Sequence, residues 1–388
     1  MRVLTKYNVL TYLSTETKID ELIKQIKQNA LFKKVSERKI RSLLGELQKD
    51  GFISKSKEDR TSIVLTSNAM DIFAFILWAR KDGIDYDIPL KKGNMHMFQK
   101  IFEAGEFDLI EKSMFSKPTT LKIAKELEHT NFIRVVRRKP LATKANVTDK
   151  TIFFANAFSY DFIAFEKNIK VSRIEKDSPK LREHLIKLHV YSTTVTEGNT
   201  ATEKDVERVL DNLDSRLSPK EVMEIVNTKN AVDELCRIYK TDLSIEIIKR
   251  LHRILMTNLV ENPGEFSYVR KRIIGSATKL PDSKIEIDTA LESMLNFYNK
   301  YRGKINPLVL SALVHFLFVS IHPFIDGNGR VARLVHSFIL MQAGLPMFAF
   351  DPDYRNKYFD LLDKGRNESV EEFVQFCIDK HKELIEKF

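Results

Sequence analysis

The residues with the clearest chemical potential lie in one stretch of twelve, HPFIDGNGRVAR, at positions 322–333. His322 is the one group in this stretch that can move a proton near neutral pH. Gly327 and Gly329 flank Asn328 in a turn just before a helix, and glycine allows the amide N–H groups of such a turn to converge. Because a helix N-terminus favours anions, the turn is a candidate site for phosphate oxygens.

Two arginines and an acid complete the pattern around this turn. Arg330 and Arg333 lie three positions apart, so on a helix they face the same side and can flank more than one phosphate. Asp326 adjoins the turn, and a carboxylate beside phosphates indicates a bridging divalent cation, which predicts Mg²⁺. Together these groups describe transfer of a phosphoryl or nucleotidyl group to a hydroxyl. The structural alternative is a Gly-Asn turn beside a histidine that caps a helix.

The elements around this stretch predict how it is held in place. The apolar run LVLSALVHFLFVSI, at 308–321, is too short to span a bilayer comfortably and predicts a buried helix that ends at His322. Further helical patterns begin near residue 178, and residues 262–282, with Pro-Gly and a β-branched run, predict a hairpin flap between helices. We therefore expect a mainly α chain in which residues 171–388 form an all-helical domain with a β-hairpin flap.

The first 170 residues contain two similar stretches. Residues 36–56 predict a helix and a short strand, residues 61–67 predict a second strand, and residues 117–136 repeat the pattern, with ELQKDGFI answered by ELEHTNFI. A basic loop at 137–150 and a strand at TIFFANA, 151–157, are expected to follow. This order is typical of winged helix-turn-helix domains, so we predict two such α+β units, unit 1 at 1–83 and unit 2 at 84–170.

The positive charge of the chain is concentrated in these two units. Residues 1–170 hold 31 Lys and Arg against 21 Asp and Glu, whereas residues 171–388 hold 32 of each. Such asymmetry indicates contact with nucleic acid, with docking of a protein as the alternative, and the acids of unit 1 make unit 2 the better candidate for DNA. The candidate contacts are basic residues on or beside the two predicted recognition helices: Arg38, Lys39, Arg41, Lys122, Lys125, Arg134, Arg137, Arg138 and Lys139.

The bulk composition excludes several classes of protein. The chain has 388 residues, enough for two or three domains, and its 43% hydrophobic and 30% charged residues are typical of a globular protein. Cys236 and Cys377 have no CxxC or Cys/His spacing, which argues against a disulfide framework or a structural zinc site. No leader or membrane-spanning segment is recognised, so a cytoplasmic protein without membrane contact is expected.

At every defined position, the stretch 322–333 resembles the core motif of the Fic family, His-Pro-Phe-x-(Asp/Glu)-Gly-Asn-Gly-Arg-x-x-Arg. The resemblance extends over about 180–380 and implies AMPylation: ATP donates AMP to a Ser, Thr or Tyr hydroxyl of a target protein, which His322 deprotonates. It implies that Asp326 holds Mg²⁺, that the amides of Gly327, Asn328 and Gly329 and the side chain of Arg330 bind phosphate, and that Arg333 holds the γ-phosphate.

The resemblance also offers roles for residues outside this motif. Ile274 and Gly275 lie in the stretch similar to the family's target-positioning flap, although Ser267 and Ser276 depart from its commonest wording. Tyr358 either approaches the adenine or is a core residue. A homodimer is compatible with the resemblance.

A second family feature precedes the core motif. In TTVTEGN, Thr193, Glu197 and Gly198 fit the inhibitory pattern Ser/Thr-x-x-x-Glu-Gly/Asn, on a predicted helix at about 186–198. The resemblance implies that Glu197 pairs with Arg333 and keeps the γ-phosphate from it, which predicts low basal activity. The structural alternative is an ordinary helix end with Gly198 as its cap.

Three alternatives to inhibited AMPylation remain open from the sequence. In some relatives the same glutamate positions water to remove AMP from a modified target, so Glu197 is compatible with a deAMPylase or a dual-activity enzyme. A different class is a DNA-binding regulator whose Fic domain senses nucleotide. Transfer of phosphocholine or a phosphoryl group is the third, although the intact GNGR favours AMP.

Overall fold

The computed structural model describes the chain over residues 4–13, 16–109, 111–167, 169–171, 179–269, 271–272 and 278–386. The structure is mainly helical, with two small antiparallel sheets in the N-terminal half. Buried hydrophobic residues from all regions of the chain belong to one continuous cluster. Among the described residues, no helix is both long enough and apolar enough to cross a membrane.

Unit 1 consists of helices around a three-stranded sheet of order β1-β3-β2. Its elements are α1 (Lys6–Leu10), β1 (Glu16–Lys18), α2 (Ile19–Gln28), α3 (Glu37–Lys49), β2 (Ile53–Lys55), β3 (Ser62–Leu65) and α4 (Ser67–Lys81). Ser36 begins α3 by accepting a hydrogen bond from the amide of Lys39, and the helix buries one apolar face. The predicted helix at 36–50 and the two strands after it are confirmed.

Unit 2 repeats this topology with a sheet of order β4-β6-β5. Its elements are α5 (Lys92–Ala104), β4 (Glu106–Asp108), α6 (Lys117–His129), β5 (Ile133–Arg138), β6 (Leu141–Ala145), α7 (Asp149–Ala157) and α8 (Ile163–Glu166). The predicted basic loop at 137–150 is thus shorter than expected, because 137–138 belong to β5 and 141–145 form β6, which pairs with β5 as a hairpin. The predicted limits of the two units, at 83 and 170, stay predictions.

The ends of α3 and α6 show why the repeat is visible in the sequence. Gly51 (φ 77°) and Asn131 (φ 59°) both take the left-handed conformation that ends a helix. The next residue then hydrogen-bonds back into the helix: Phe52 N–H to the Leu47 carbonyl at 2.9 Å, and Phe132 N–H to that of Leu127 at 2.8 Å. Gly and Asn are the residues that tolerate this conformation, so ELQKDGFI and ELEHTNFI encode the same turn.

The strand predicted at TIFFANA was wrong, because residues 149–157 form α7. Thr148 and Thr151 form a capping box, and the Thr148 amide donates to Thr151 Oγ1 at 2.7 Å. Nearly every residue of α7 is buried, so its aromatic and β-branched run reflects burial on all sides rather than a strand. By position after the sheet, α7 is the counterpart of α4.

The C-terminal domain contains the remaining helices, and two of them frame the motif. Its elements are α9 (Pro179–Thr196), α10 (Glu203–Leu210), α11 (Pro219–Ile238), α12 (Ile245–Leu255), α13 (Lys284–Tyr301), α14 (Pro307–Ile321), α15 (Asn328–Gln342), a 3₁₀ turn (Pro352–Tyr354), α16 (Arg355–Asn367) and α17 (Glu371–Glu386). The apolar helix α14 is buried along its length and packs against α15, so the connecting loop at 322–327 is fixed at both ends.

The N-terminal units pack directly on this domain. The Trp78 indole N–H of α4 donates to the Asp149 carboxylate of α7 at 3.0 Å, which joins the two units to each other. Ser293 Oγ of α13 donates to Asp71 Oδ1 of α4 at 2.6 Å, which joins unit 1 to the C-terminal domain. Lys81 Nζ, at the end of α4, donates to the Lys279 carbonyl at 2.6 Å. Unit 1 therefore contacts the segment that leads out of the predicted flap.

Candidate active site

The loop at 322–327 is shaped by contacts of its own residues. His322 follows α14 in a left-handed conformation (φ 51°, ψ 55°), which turns the chain away from the helix axis. Asn328 closes the loop, because its side-chain amide donates to the Phe324 carbonyl and its Oδ1 accepts the Phe324 N–H, both at 2.9 Å. The side chain of Asn328 therefore holds the loop, which leaves its backbone amide at the start of α15.

His252, which sequence reasoning missed, supports the loop from α12. Its ring stacks on fully buried Phe324 with centroids 3.6 Å apart. The Gly264 amide donates to His252 Nδ1 at 2.8 Å, so the ring proton belongs on Nε2, which lies 3.1 Å from the Asp326 carbonyl oxygen. Burial lowers the pKa of His252 to about 4, which keeps it neutral in this role.

The two glycines of the turn are required by close contacts. Gly327 has φ 78°, and a Cβ there would meet Met256 Sδ at 2.7 Å. A Cβ on Gly329 would overlap the carboxylate of Glu197, which lies directly over the start of α15. The Gly327 amide donates to Asp326 Oδ1 at 2.6 Å. Carboxylate oxygens therefore lie at the N-terminus of α15, where anions are favoured.

The predicted pair of Glu197 and Arg333 is present in the structure. Arg333 Nη2 donates to Glu197 Oε1 at 2.6 Å, and Arg333 Nε donates to Thr193 Oγ1 at 3.2 Å. Arg333 is fully buried, while its Nη1 has no hydrogen-bond partner in the described part of the chain. Glu197 follows the last residue of α9, and Gly198 (φ 105°) turns the chain away from the helix. The three predicted inhibitory residues are thus brought to the catalytic loop.

Arg330 is also buried, at 3% exposure, and lies between two carboxylates. Its Nη2 is 3.3 Å from Asp326 Oδ2, and its Nη1 is 3.6 Å from Glu224 Oε1. Among the residues that the structure describes, its Nε has no hydrogen-bond partner. Glu224, on α11, carries no sequence signal that separates it from an ordinary acid on a helix, so only the fold identifies it.

His322 is neutral in this environment. Burial, together with the positive charges of Lys271 and Arg366, lowers its pKa to about 4. Its Nδ1 lies 3.4 Å from the Val319 carbonyl oxygen, which favours the tautomer with the proton on Nδ1. The lone pair of Nε2 is then available to accept a proton.

Lys271 and Arg366 were not singled out by the sequence. Lys271 Nζ donates to the Ser267 carbonyl at 2.6 Å, and burial lowers its pKa to about 8. The Ser267 amide donates to the Pro323 carbonyl at 2.8 Å, so the beginning of the predicted flap segment is joined to the catalytic loop by its backbone. Arg366, on α16, donates from Nε to Ser320 Oγ at 3.2 Å, one residue before the end of α14.

Asp326 has the properties that a magnesium ligand would need. Its side chain is 61% exposed beside the glycine turn, so its oxygens can reach a cation from the open side of the loop. Among the described residues, no group of three or more His, Cys, Asp and Glu side chains forms a metal cluster. A single carboxylate fits an ion whose other ligands are phosphate oxygens and water.

Tyr358 does not have a surface on which to contact adenine, so its assignment to the nucleotide site is corrected. It is 1% exposed, its hydroxyl lies 2.8 Å from His315 Nε2, and its ring stacks on Phe350. Its ring centroid lies 5.9 Å from the Arg333 guanidinium carbon. Tyr358 therefore packs beneath Arg333 as a core residue, which was the alternative interpretation.

The predicted flap residues Ile274 and Gly275 lie outside the residues that the structure describes. The described flanks, at 265–269, 271–272 and 278–282, contain neither helix nor strand. They begin beside the catalytic loop at Ser267 and end beside unit 1 at Lys279. The flap assignment therefore stays a prediction.

The predicted nucleic-acid contacts divide into exposed and partnered residues. Arg41 pairs with Glu37 and Asp20, Arg134 with Glu371 and Asn146, and Arg137 with Glu106, so part of their charge is already compensated. The remaining candidates are exposed on α3, on α6 and at the β5–β6 turn: Arg38, Lys39, Lys122, Lys125, Arg138 and Lys139.

Comparison with known proteins identifies relatives of this domain. The profile of the Fic/DOC family matches residues 242–340. The protein adenylyltransferase Fic of Drosophila yakuba is 31% identical over 198 residues, which cover 49% of this chain and 39% of that protein. The enzyme of the same name from Drosophila melanogaster is 28% identical over 197 residues, with the same two shares. The chain thus spans about two fifths of the length of these curated relatives.

A solved structure supports the fold. A Fic domain containing signaling protein from Bacteroides thetaiotaomicron superposes with a TM-score of 0.50 at 20% sequence identity. The match covers 61% of this chain and 95% of that one. At this identity the likeness concerns the fold, and it agrees with the mainly helical C-terminal domain described above.

Proposed function

We propose that the chain, whose residues 242–340 match the profile of the Fic/DOC family, is a protein adenylyltransferase that AMPylates a Ser, Thr or Tyr hydroxyl of a target protein and is inhibited by Glu197. One arrangement carries this proposal: neutral His322 lies on the same short loop as a glycine turn at a helix N-terminus, with two buried arginines behind it. ATP is the co-substrate.

In the proposed reaction His322 is the general base. The target hydroxyl loses its proton to Nε2 of His322 while its oxygen bonds to the α-phosphorus of ATP. The bond from the α-phosphorus to the bridging oxygen breaks, and pyrophosphate leaves with that electron pair. AMP remains on the target in an ester bond.

The phosphate groups are the proposed ligands of the glycine turn and the two arginines. Phosphate oxygens would take the place of the Asp326 carboxylate at the Gly327 amide and at Arg330 Nη2, and would also accept hydrogen bonds from the amides of Asn328 and Gly329. Asp326 would hold Mg²⁺, which when bound supplies positive charge to the phosphates and the leaving group. Arg333 would hold the γ-phosphate once Glu197 has moved.

The inhibition follows from two contacts of one side chain. Glu197 uses the guanidinium that the γ-phosphate requires, and its carboxylate lies over Gly329 at the start of α15. A polyphosphate in its reactive position would meet both the volume and the negative charge of this carboxylate. Low basal activity is therefore expected of the native chain.

The test is incorporation of label from α-³²P-ATP and, separately, γ-³²P-ATP into the proteins of a cell lysate with Mg²⁺. We compare the native chain, Glu197→Gly and Glu197→Gly/His322→Ala. Transfer of AMP requires that α-label alone appears, rises with Glu197→Gly and falls by about 10²–10⁴ in the double variant. Label from γ-³²P-ATP would mean phosphoryl transfer, and no label in any variant would favour a nucleotide-sensing regulator.

A second candidate activity, removal of AMP from a modified target, is favoured by the position of Glu197. Its carboxylate lies over Gly329 at the start of α15, and its negative charge acts to raise the pKa of His322 against the larger effects that lower it. Such a pair can activate water. Release of AMP from a target labelled by the Glu197→Gly variant, by the native chain but not by the variant, would support this activity.

We also propose that unit 2 binds DNA through its exposed basic residues. Lys122 and Lys125 are exposed on α6, and Arg138 and Lys139 are exposed at the β5–β6 turn. Contacts of this kind favour phosphates over base edges. Docking of a protein on the same surface is the alternative outcome of the test.

A further inference from the structure

Arg330, a proposed phosphate ligand, depends on a carboxylate outside the catalytic motif. The guanidinium is buried, and its two partners are Asp326 at 3.3 Å and Glu224 at 3.6 Å. Asp326 is 61% exposed, whereas the side chain of Glu224 is only 17% exposed. Since a buried charge is stable only when it is compensated, both carboxylates matter in the described state.

Asp326 and Glu224 would behave differently toward Arg330 when the nucleotide binds. Asp326 is the proposed ligand of Mg²⁺, and a carboxylate that turns toward a cation no longer neutralises the neighbouring guanidinium. Glu224 comes from α11 and is remote from the glycine turn in sequence. It can therefore stay against Nη1 of Arg330 while Nε, which has no hydrogen-bond partner, and Nη2 face a phosphate.

The second oxygen of Glu224 holds the segment that follows Glu197. Asn199 Nδ2 donates to Glu224 Oε2 at 2.9 Å and to the Glu221 carbonyl at 3.2 Å. Asn199 Oδ1 in turn accepts the Ala201 amide at 3.0 Å. Asn199 is buried at 7% exposure, so these bonds fix the chain two residues beyond Glu197 to α11.

We propose that Glu224 is a positioning residue with two contacts: it holds Arg330 in place for the nucleotide phosphates, and through Asn199 it holds the inhibitory segment at 197–199. The inference rests on the proposed function, whose nucleotide site it extends. The two contacts use different oxygens of one carboxylate, so they can be broken separately. Loss of the Glu224 charge weakens nucleotide binding, whereas loss of the Asn199 amide frees Glu197 to leave Arg333.

The first contact is tested by the Kd for ATP, measured by calorimetry with Mg²⁺ on the full chain in the Glu197→Gly/His322→Ala background, where no turnover occurs. Glu224→Gln keeps the shape of the side chain and removes its charge, and we expect the Kd to rise about tenfold. Glu221→Gln is the matched control, because Glu221 lies one turn earlier on α11 and bonds Ser218 and Thr200 rather than Arg330. We expect its Kd to stay within about twofold of the parent.

An unchanged Kd in Glu224→Gln, or an equal rise in both variants, would overturn this contact. The measurement does not depend on group transfer, so it separates the two proposals. A rise specific to Glu224→Gln supports the positioning role even if no variant labels a protein. Absence of ATP binding by the parent would overturn the nucleotide site and the role of Glu224 together.

The second contact is tested by Asn199→Ala in the otherwise native chain. We expect labelling from α-³²P-ATP to rise at least about fivefold, because one hydrogen bond of ordinary net strength corresponds to about that factor and the substitution removes the three bonds of the Asn199 side chain. The control is Asn227→Ala, which removes a bond of similar kind on α11, to the Thr257 carbonyl at 2.8 Å. It should lower the Tm without raising labelling. Native-level labelling by a folded Asn199→Ala chain would overturn the second contact.

Discussion

Arginines of the C-terminal domain and basic residues of unit 2 occupy opposite environments. Arg330 and Arg333 are 3% and 0% exposed and are compensated by carboxylates from distant helices. Arg138 and Lys139 are exposed at a hairpin turn. A buried guanidinium has its position fixed by its partners, so it can hold one phosphate geometry, whereas an exposed one contributes charge with little geometric constraint.

Histidines of the C-terminal domain are buried in the same way as its arginines. The C-terminal domain contains buried histidines whose pKa is lowered by burial, to about 4 for His189, His252 and His381 and well below the ordinary value for His315 and His336. They are packed behind or beside the catalytic loop: His315 contacts Tyr358, which lies under Arg333, and His252 contacts Phe324. The interior of this domain therefore requires neutral imidazoles.

The largest expected effect is loss of stability in acid. Because the folded pKa of these histidines lies below the ordinary 6.5, the unfolded chain binds more protons. Their stabilisation is fully present above pH 6.5 and is lost as the pH falls toward 4, by up to about 3 kcal/mol for each group with a pKa of about 4. Urea unfolding followed by circular dichroism at pH 7.5, 6.5, 5.5 and 4.5 measures this loss.

The matched variant for acid stability is His381→Leu. His381 is 1% exposed and burial lowers its pKa to about 4, so a buried leucine in its place removes the titration. We expect the free energy of unfolding of this variant to fall less between pH 7.5 and 4.5 than that of the native chain. An identical loss would contradict the assignment of acid sensitivity to the buried imidazoles.

The next prediction compares the same substitution, arginine to lysine, at a buried and at an exposed position. In the Glu197→Gly background we expect Arg333→Lys to lower kcat/KM for ATP about 100-fold, because an ammonium group lacks the fork of donors that the guanidinium presents. Arg138→Lys, in the same background, should leave kcat/KM unchanged. Radiolabel transfer at varied ATP concentration gives both values, and a loss of less than threefold for Arg333→Lys would remove it from the phosphate site.

A smaller effect compares a glycine of the catalytic loop with one of unit 1. Gly327 has a positive φ and a close neighbour in Met256, so Gly327→Ala should cost more than about 1 kcal/mol of stability. Gly45 lies exposed within α3, where a Cβ meets nothing within 4 Å, so Gly45→Ala should stabilise by roughly 0.5–1 kcal/mol. Urea unfolding at pH 7.5 measures the change in the free energy of unfolding for each variant. Changes of the same sign in both variants would contradict the comparison.

The smallest effect concerns DNA. We expect the full chain to bind DNA in a salt-dependent manner and Lys139→Ala to lower the slope of log K against log salt by about 1. Arg41→Ala is the control, since Arg41 already pairs with Glu37 and Asp20. Titration of fluorescent duplex DNA at two or more salt concentrations measures the slope. No binding at low salt would favour docking of a protein on unit 2.

Local sequence patterns predicted the structure correctly where a residue's conformation depends on its near neighbours. The helices and strands of the repeated pattern at 36–67 and 117–136, the buried helix before His322 and the glycine turn were all predicted from the residue types. The pattern at 151–157 misled, because a run that is buried on all sides has no polar face to reveal its period. Tyr358 was left between two roles, since only packing against His315 and Phe350 places it in the core.

The sequence by itself determined the chemistry of 322–333: a base, a turn that accepts anions and two arginines on one helical face, all set by short-range geometry. The tertiary structure alone decided which distant groups act on them. Glu224, His252 and Lys271 reach the loop from elements far along the chain, and each resembles an ordinary helix or loop residue in the sequence. Burial and charge compensation arise only when those elements pack, so the pKa of His322 and the partners of Arg330 are properties of the fold.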